Sequence, residues 1–299
     1  GLDAVWADDF HHQIRRALAG DFEGYYANYT GSVEDLARTI KRGWFYEGQI
    51  YQGTGEPRGT LCGDIRLPAF IHCIQNHDQV GNRATGARLN HEIPLAAYRA
   101  ASALLLLGPF TPLLFMGQEW AASSPFLYFT DHNEELGRLV TEGRRAEFAS
   151  FSAFADEAKR AQIPDPQAET TFLRSKLNWE ERDQEPHASI LHLYQQLLSL
   201  RQSHPALRER SRESVDVLAL NDNALAMRRA DGQKTLLLVV NLRDTLRLAL
   251  DALELPSSYN WNTLLSTEEQ RFGGEGGAAL EQGILTMEGP GAIVLEATL

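Results

Sequence analysis

Two cysteines are few for a chain of 299 residues. Cys62 and Cys73 cannot make a disulfide framework, and no Cys-x-x-Cys pair occurs, so the chain is not a stapled extracellular scaffold. A reducing, cytoplasmic setting is the expectation. Long hydrophobic runs are also lacking. The most apolar window, Ala100 to Met116, is broken by Gly108-Pro109 and Pro112, short of the roughly 20 apolar residues of a membrane span. Gly1 to Trp6 shows no basic region or signal-peptide pattern. Basic residues are outnumbered, with 28 Lys and Arg against 40 Asp and Glu and a formal net charge of −12. A general nucleic-acid binder would show a basic patch instead, whereas an uncharged ligand needs no field of either sign. Repeats and low-complexity tracts are absent. Gly273-Gly274-Glu275-Gly276-Gly277 reads as a flexible loop and is too poor a pattern for a phosphate loop. No cofactor is expected, and neither membrane nor nucleic acid is expected as a partner.

What is present is an ordinary globular balance, 43% hydrophobic and 23% charged residues. Phe70 to Ile74 is a short apolar run of the kind found in buried parallel strands, and it turns abruptly polar at Asn76-His77-Asp78-Gln79. Pro94 to Leu107 reads as a helix with Pro94 at its first position, stopped by Gly108-Pro109. Pro112 to Met116 is a second apolar strand, ending in Gly117-Gln118-Glu119-Trp120. Strand, helix, strand, with an acid after each strand, is a βαβ unit whose carboxyl edge is polar. Leu2 to Ala7 reads as a further strand, followed by Asp8, Asp9, His11 and His12. These four side chains are all metal-ligand types. Neighbouring histidines in one helix cannot easily share an ion, however, and no metal is expected. Asp8 or Asp9 also suits a helix cap.

Tyr25, Tyr26 and Tyr29 form an aromatic loop, able to pack locally or to stack on sugar rings. Ser32 and Asp35 open a helix in near-capping-box spacing. Trp44 to Cys62 reads as a long loop. His187 to Ser203 carries apolar positions at helical spacing, which we read as core packing. Beyond His204-Pro205 the period changes. Val215–Leu220, Ala224–Arg229, Thr235–Leu242, Leu246–Leu250, Ile284–Met287 and Ala292–Ala297 read as strands, with Asp231-Gly232 as a tight hairpin. An antiparallel β-sandwich is expected for residues 211–299 and an α/β unit for 1–210, with the boundary near Arg210.

At these residues the chain resembles the α-amylase superfamily of glycoside hydrolases. The strand running into Asn76-His77-Asp78 is similar to that superfamily's seventh barrel strand, and Pro112 to Glu119 to its eighth. Gln75 to Ala84, Trp6 to His12, Pro125 to His132 and Phe172 to Trp179 narrow the resemblance to the branch that releases trehalose from maltooligosyltrehalose. The resemblance implies strands six to eight of a (β/α)8 TIM barrel followed by the sandwich. It also implies a retaining hydrolase acting on maltooligosyltrehalose and related α-glucans. Asp78 would be the transition-state stabiliser, with His77, Asn76, Gln79, Asp9, His12, Tyr26 and Glu119 as substrate-binding residues. The nucleophile and general acid find no match in residues 1–299. They are therefore expected on a segment upstream of Gly1, the N-terminal half of the same enzyme, and the fragment alone is expected to be inactive. A branching-type α-glucan transferase and a non-catalytic carbohydrate-binding piece are the other readings.

Overall fold

The computed structural model describes residues 1–209, 211–253, 255–256 and 259–298. The expected boundary at Arg210 lies outside the described residues. Strands are numbered β1 to β13 in chain order. A parallel three-stranded sheet has the order β1 (Val5–Trp6), β4 (Phe70–His72), β5 (Thr111–Pro112). Trp6 pairs with Ile71, and Ile71 with Thr111. All three strands are shorter than the apolar runs predict. Pairing stops inside the apolar runs, before Cys73-Ile74 and before Leu113 to Met116, and within this sheet only β4 has a neighbour on both sides. His72 closes the ladder: its Nδ1 lies 3.1 Å from the Ala7 carbonyl, and its own carbonyl accepts from the Leu113 N–H.

The helix predicted between β4 and β5 spans Leu95–Leu107, with Pro94 in the N-cap position rather than the first turn. Every residue from Ala97 to Leu107 is buried. A helix apolar all round must be covered on all sides. Its cover comes from Leu193, Tyr194 and Leu197 of the His187–Ser203 helix and from Leu236, Leu238, Val240 and Val294 of the sandwich. One continuous core therefore runs from the parallel sheet into the C-terminal strands. Arg99, on the same helix, pairs bidentately with Glu268 at 3.1 and 2.5 Å.

The C-terminal strands form two antiparallel sheets, as the spacing predicts. The larger has the order β10 (Asn260–Ser266), β13 (Gly291–Thr298), β8 (Thr235–Asn241), β7 (Ala224–Ala230), β6 (Val215–Ala219). The smaller has the order β11 (Ala278–Glu281), β12 (Ile284–Met287), β9 (Leu246–Ala249). A second core of Leu237, Val239, Leu285, Met287, Ile293 and Leu295 fills the space around them. β10 and β11 are absent from the sequence reading. Asn260-Trp261-Asn262-Thr263 has too little apolar alternation to register, and tertiary pairing with β13 decides it.

Two local readings are corrected. The segment expected as a long loop from Trp44 to Cys62 contains a hairpin, β2 (Glu47–Tyr51) with β3 (Glu56–Gly59). The Gly273–Gly277 loop is wrapped tightly around Glu268. The Gly276 N–H donates to the Glu268 carbonyl at 2.7 Å, and a Cβ on Gly274 would stand 2.2 Å from the Glu268 backbone. Gly43, at φ +107°, ends the Val33–Arg42 helix in the left-handed region. A Cβ there would meet the Phe70 ring at 2.4 Å, so only glycine lets this helix end against β4. Cys62 and Cys73 are buried free thiols. Among the described residues no helix is long and apolar enough to cross a membrane.

Candidate active site

The site forms where β1 and β4 end side by side. After β4 the chain passes through Asn76, whose side-chain oxygen caps the short helix His77–Gly81 by accepting from the Gln79 N–H at 2.8 Å. That cap buries Asn76 and turns the next two side chains outward. Asp78 is 62% exposed and His77 55% exposed, with His77 Nε2 3.4 Å from Asp78 Oδ1. The indole of Trp6, at the end of β1, meets the His77 ring edge-on at 6.0 Å. Asp8 follows Trp6 by two residues. Its carboxyl is held above the usual carboxylate range, first by the surrounding protein and then by the charges of Asp9 and Asp78. The Asp78 carboxylate, beyond the neighbouring strand, thus adds to what holds the Asp8 proton. In the sequence Asp8 reads as a helix cap, a ligand type or part of a sugar-binding strand end. In the structure it occupies the N-cap position and makes no side-chain capping bond.

Behind this edge lies a buried aromatic and imidazole layer. Asp9 is only 8% exposed. One of its oxygens accepts from the Tyr29 hydroxyl at 2.5 Å, the other from the Phe45 N–H at 2.7 Å. Asp9 therefore ties the tyrosine loop and the start of the β2–β3 hairpin to the Asp9–Leu18 helix. His12 is buried among the rings of Tyr25, Tyr26 and Tyr29, with centroids 4.9 to 5.3 Å away. Tyr26 is buried as well. The tyrosine that reaches the surface is Tyr25, whose hydroxyl donates to Gln79 Oε1 at 3.2 Å. Arg58, from the hairpin, lies 4.6 Å from the Tyr51 ring centroid. Tyr25 belongs to the aromatic loop visible in the sequence, whereas Arg58 is not singled out there, because the hairpin that brings it in reads as loop.

Glu119 sits apart, half-buried in the turn Gln118–Trp120 after β5. Its neighbours hold that turn firmly. Tyr98 donates to the Gln118 carbonyl at 2.7 Å, and the Gln118 side-chain amide donates to Tyr194 at 3.0 Å. Arg83, the last residue of the Asn76–Arg83 stretch, joins a ring of charges. It bridges Asp21 at 3.2 Å and Glu92 at 2.6 Å, and Arg15 bridges the same two acids at 2.5 and 2.6 Å. This ring pins the chain just beyond Asp78.

Burial drives the imidazoles toward neutrality. His12 falls from the usual 6.5 to about 4, with Asp9 opposing and Arg58 reinforcing the shift. His72 falls to about 4 by burial, and His11 is lowered well below its ordinary value by burial and by His12. Between about pH 4 and 6.5 the unfolded chain binds protons that folded His12 and His72 refuse, so stability falls as the pH drops through that window. The melting temperature is expected to fall from pH 7 to pH 5, and to fall less in His12→Asn. An equal fall in the variant would remove His12 from this account.

No protein-family model matches the chain. Whole-protein comparisons are decisive. Over 271 residues it is 49% identical to malto-oligosyltrehalose trehalohydrolase of Deinococcus radiodurans, covering 89% of this chain and 44% of that protein. The enzyme of the same name from Arthrobacter ramosus is 44% identical over 207 residues, covering 69% of this chain and 35% of that protein.

The chain belongs to the malto-oligosyltrehalose trehalohydrolase family.

A solved structure supports the same placement. A provisionally named alpha amylase from Salmonella typhimurium superposes with a TM-score of 0.82 at 36% identity, covering 99% of this chain and 47% of that one. The chain is thus an α/β unit with a β-sheet domain, of the α-amylase type, and it spans less than half the length of each of these three proteins. The stretches that carried the resemblance, around Trp6, Asp78, Phe129 and Phe172, lie on elements that the fold brings to one side or links directly. The Arg144 guanidinium donates to the carbonyls of Gly81 and Arg83 at 2.8 and 2.9 Å and stands 4.6 Å over the Tyr128 ring.

Proposed function

We propose that this chain carries one of the three acids of a retaining glycoside hydrolase, one that cleaves the α-1,4 bond next to the trehalose end of maltooligosyltrehalose. Asp78 is the transition-state stabiliser. It holds sugar hydroxyls while positive charge develops on the ring, and His77 bonds the same sugar. The observation that carries this reading is the exposed pairing of Asp78 with His77 at the carboxyl edge of a parallel sheet, in a chain of this family. Ligands of α/β barrels bind at that edge.

The remaining assignments follow the same reading. β1, β4 and β5 are barrel strands six, seven and eight. Residues 1–210 form the C-terminal portion of the barrel, and residues 211–299 the sandwich domain. The nucleophile and general acid, which retention requires about 5 to 5.5 Å apart, reside on a segment upstream of Gly1. Support comes from the sheet's outer strands. Val5 and Trp6 on β1, and Leu114 and Met116 just beyond β5, are apolar and exposed, as strands awaiting neighbours would be. Gln79 contacts the trehalose end directly. Asp9, His12 and Tyr26 act from behind it by fixing Tyr25 and the hairpin, and Glu119 borders the opposite rim. The reaction needs no cofactor, and the setting is cytoplasmic.

The test is trehalose release from maltooligosyltrehalose by residues 1–299, with and without the upstream half. No turnover is expected from residues 1–299 alone, and turnover is expected once the upstream half is supplied. Turnover by residues 1–299 alone would sink the division of the site. Glucan binding without turnover in either preparation would favour a carbohydrate-binding role.

A further inference from the structure

A hollow lies beside the Phe129–Asp131 segment. It is about 530 Å³ and is lined by Phe129, Thr130, Asp131, Gln167, Glu169 and Phe172. Its floor is built, not incidental. The Phe129 and Phe172 rings meet edge to face at 5.3 Å and 68°, and both are partly exposed. The Gln167 side chain is locked into the wall. Its oxygen accepts from Thr130 Oγ1 at 2.6 Å and from the His132 N–H at 3.0 Å, and its nitrogen donates to the His132 carbonyl at 2.9 Å. Gly137 makes room for it, since a Cβ there would stand 2.4 Å from the Gln167 amide. The carboxylates of Asp131 and Glu169, by contrast, have no hydrogen-bond or ion-pair partner among the described residues.

Two flat apolar faces at a corner, with free acceptors at the rim and no cation in the lining, suit a neutral sugar. A pyranose lays its apolar face on an aromatic ring and turns its hydroxyl edge to acceptors. An anion would be repelled by Asp131 and Glu169. The hollow is also wired to the catalytic edge. The Phe126 N–H donates to the Gly86 carbonyl at 2.9 Å, and Arg144 joins the Tyr128 ring to the carbonyls that end the Asp78 helix.

We propose that the hollow between Phe129 and Phe172 is a glucan-ring subsite. It receives a glucose unit of the same α-glucan chain, or of a second one, at a distance from the cleaved bond. This rests on the glucan reading of the Asp78 site, but it is tested by binding and not by turnover, so the two can fail separately.

The experiment titrates the full chain, by calorimetry, with maltotetraose and, in parallel, with tetramethylammonium, a cation that would also suit rings and carboxylates. Maltotetraose is expected to bind, Phe129→Ala and Phe172→Ala to weaken it about fivefold each, and Asp131→Asn to weaken it less. Phe129→Leu keeps apolar bulk without a flat face, so it should fold and still lose affinity. Any one of four results overturns the subsite: no maltotetraose binding, affinity unchanged in the phenylalanine variants, affinity retained in Phe129→Leu, or binding of the cation in place of the sugar. Should Asp78→Asn leave turnover intact while these variants lose maltotetraose, the subsite stands and the catalytic assignment falls.

Discussion

Asp78→Asn, placed in the enzyme that includes the upstream half, is expected to lower turnover at least about a hundredfold while the fold survives. The magnitude follows from removing a preorganised group aimed at developing charge, which costs on the order of 2.7–4 kcal/mol. Survival of the fold follows from the site. Asp78 is 62% exposed and, among the described residues, its one close side-chain partner is His77 at 3.4 Å, so asparagine is isosteric at a position with little packing to lose. The measurement is kcat on maltooligosyltrehalose together with thermal unfolding. Wild-type turnover would show that Asp78 stabilises nothing in the reaction. Lost turnover with a matching loss of stability would make Asp78 a structural residue.

Glu268→Ala is expected to destabilise the chain by about 3–5 kcal/mol, because it leaves the Arg99 guanidinium buried without its partner. Arg99 is 5% exposed and Glu268 12% exposed, and both guanidinium contacts are hydrogen-bonded. The pair joins the Leu95–Leu107 helix to the glycine-rich loop of the sandwich. Arg99→Leu with Glu268→Leu should cost far less than Glu268→Ala, since well-packed apolar residues can replace a buried pair. Urea unfolding of both variants decides it. A cost below about 1 kcal/mol for Glu268→Ala would class the pair with ordinary surface bridges.

Much of this architecture was legible because its signals are local. Ile190, Leu193, Tyr194 and Leu197 fall on one face of a helix that runs from His187 to Ser203, as their spacing requires. Ser32 caps the Val33–Arg42 helix through the Asp35 N–H. Asp231-Gly232 turns β7 into β8, with Asp231 accepting from the N–H groups of Gln233 and Lys234. β10 was not legible, because its pairing with β13 and not its own alternation makes it a strand. The Gly273–Gly277 loop reads as flexible because glycine is permissive. It is held because those same glycines let the backbone close on Glu268.

The candidate site divides in the same way. Asn76, His77, Asp78 and Gln79 are adjacent in the chain, and a polar run after an apolar strand is visible as such. Sequence alone determined that an acid, an imidazole and two amides follow a buried strand. Which of those groups faces outward was decided by tertiary structure. The Asn76 cap turns His77 and Asp78 to solvent, whereas the bonds of Tyr29 and Phe45 draw Asp9 inward. Asp8, Tyr25 and Arg58 join the rim from three separate segments. The physical reason is range: caps, turns and periodicity act over a few residues, while burial and charge proximity act between strands that only the folded chain makes neighbours.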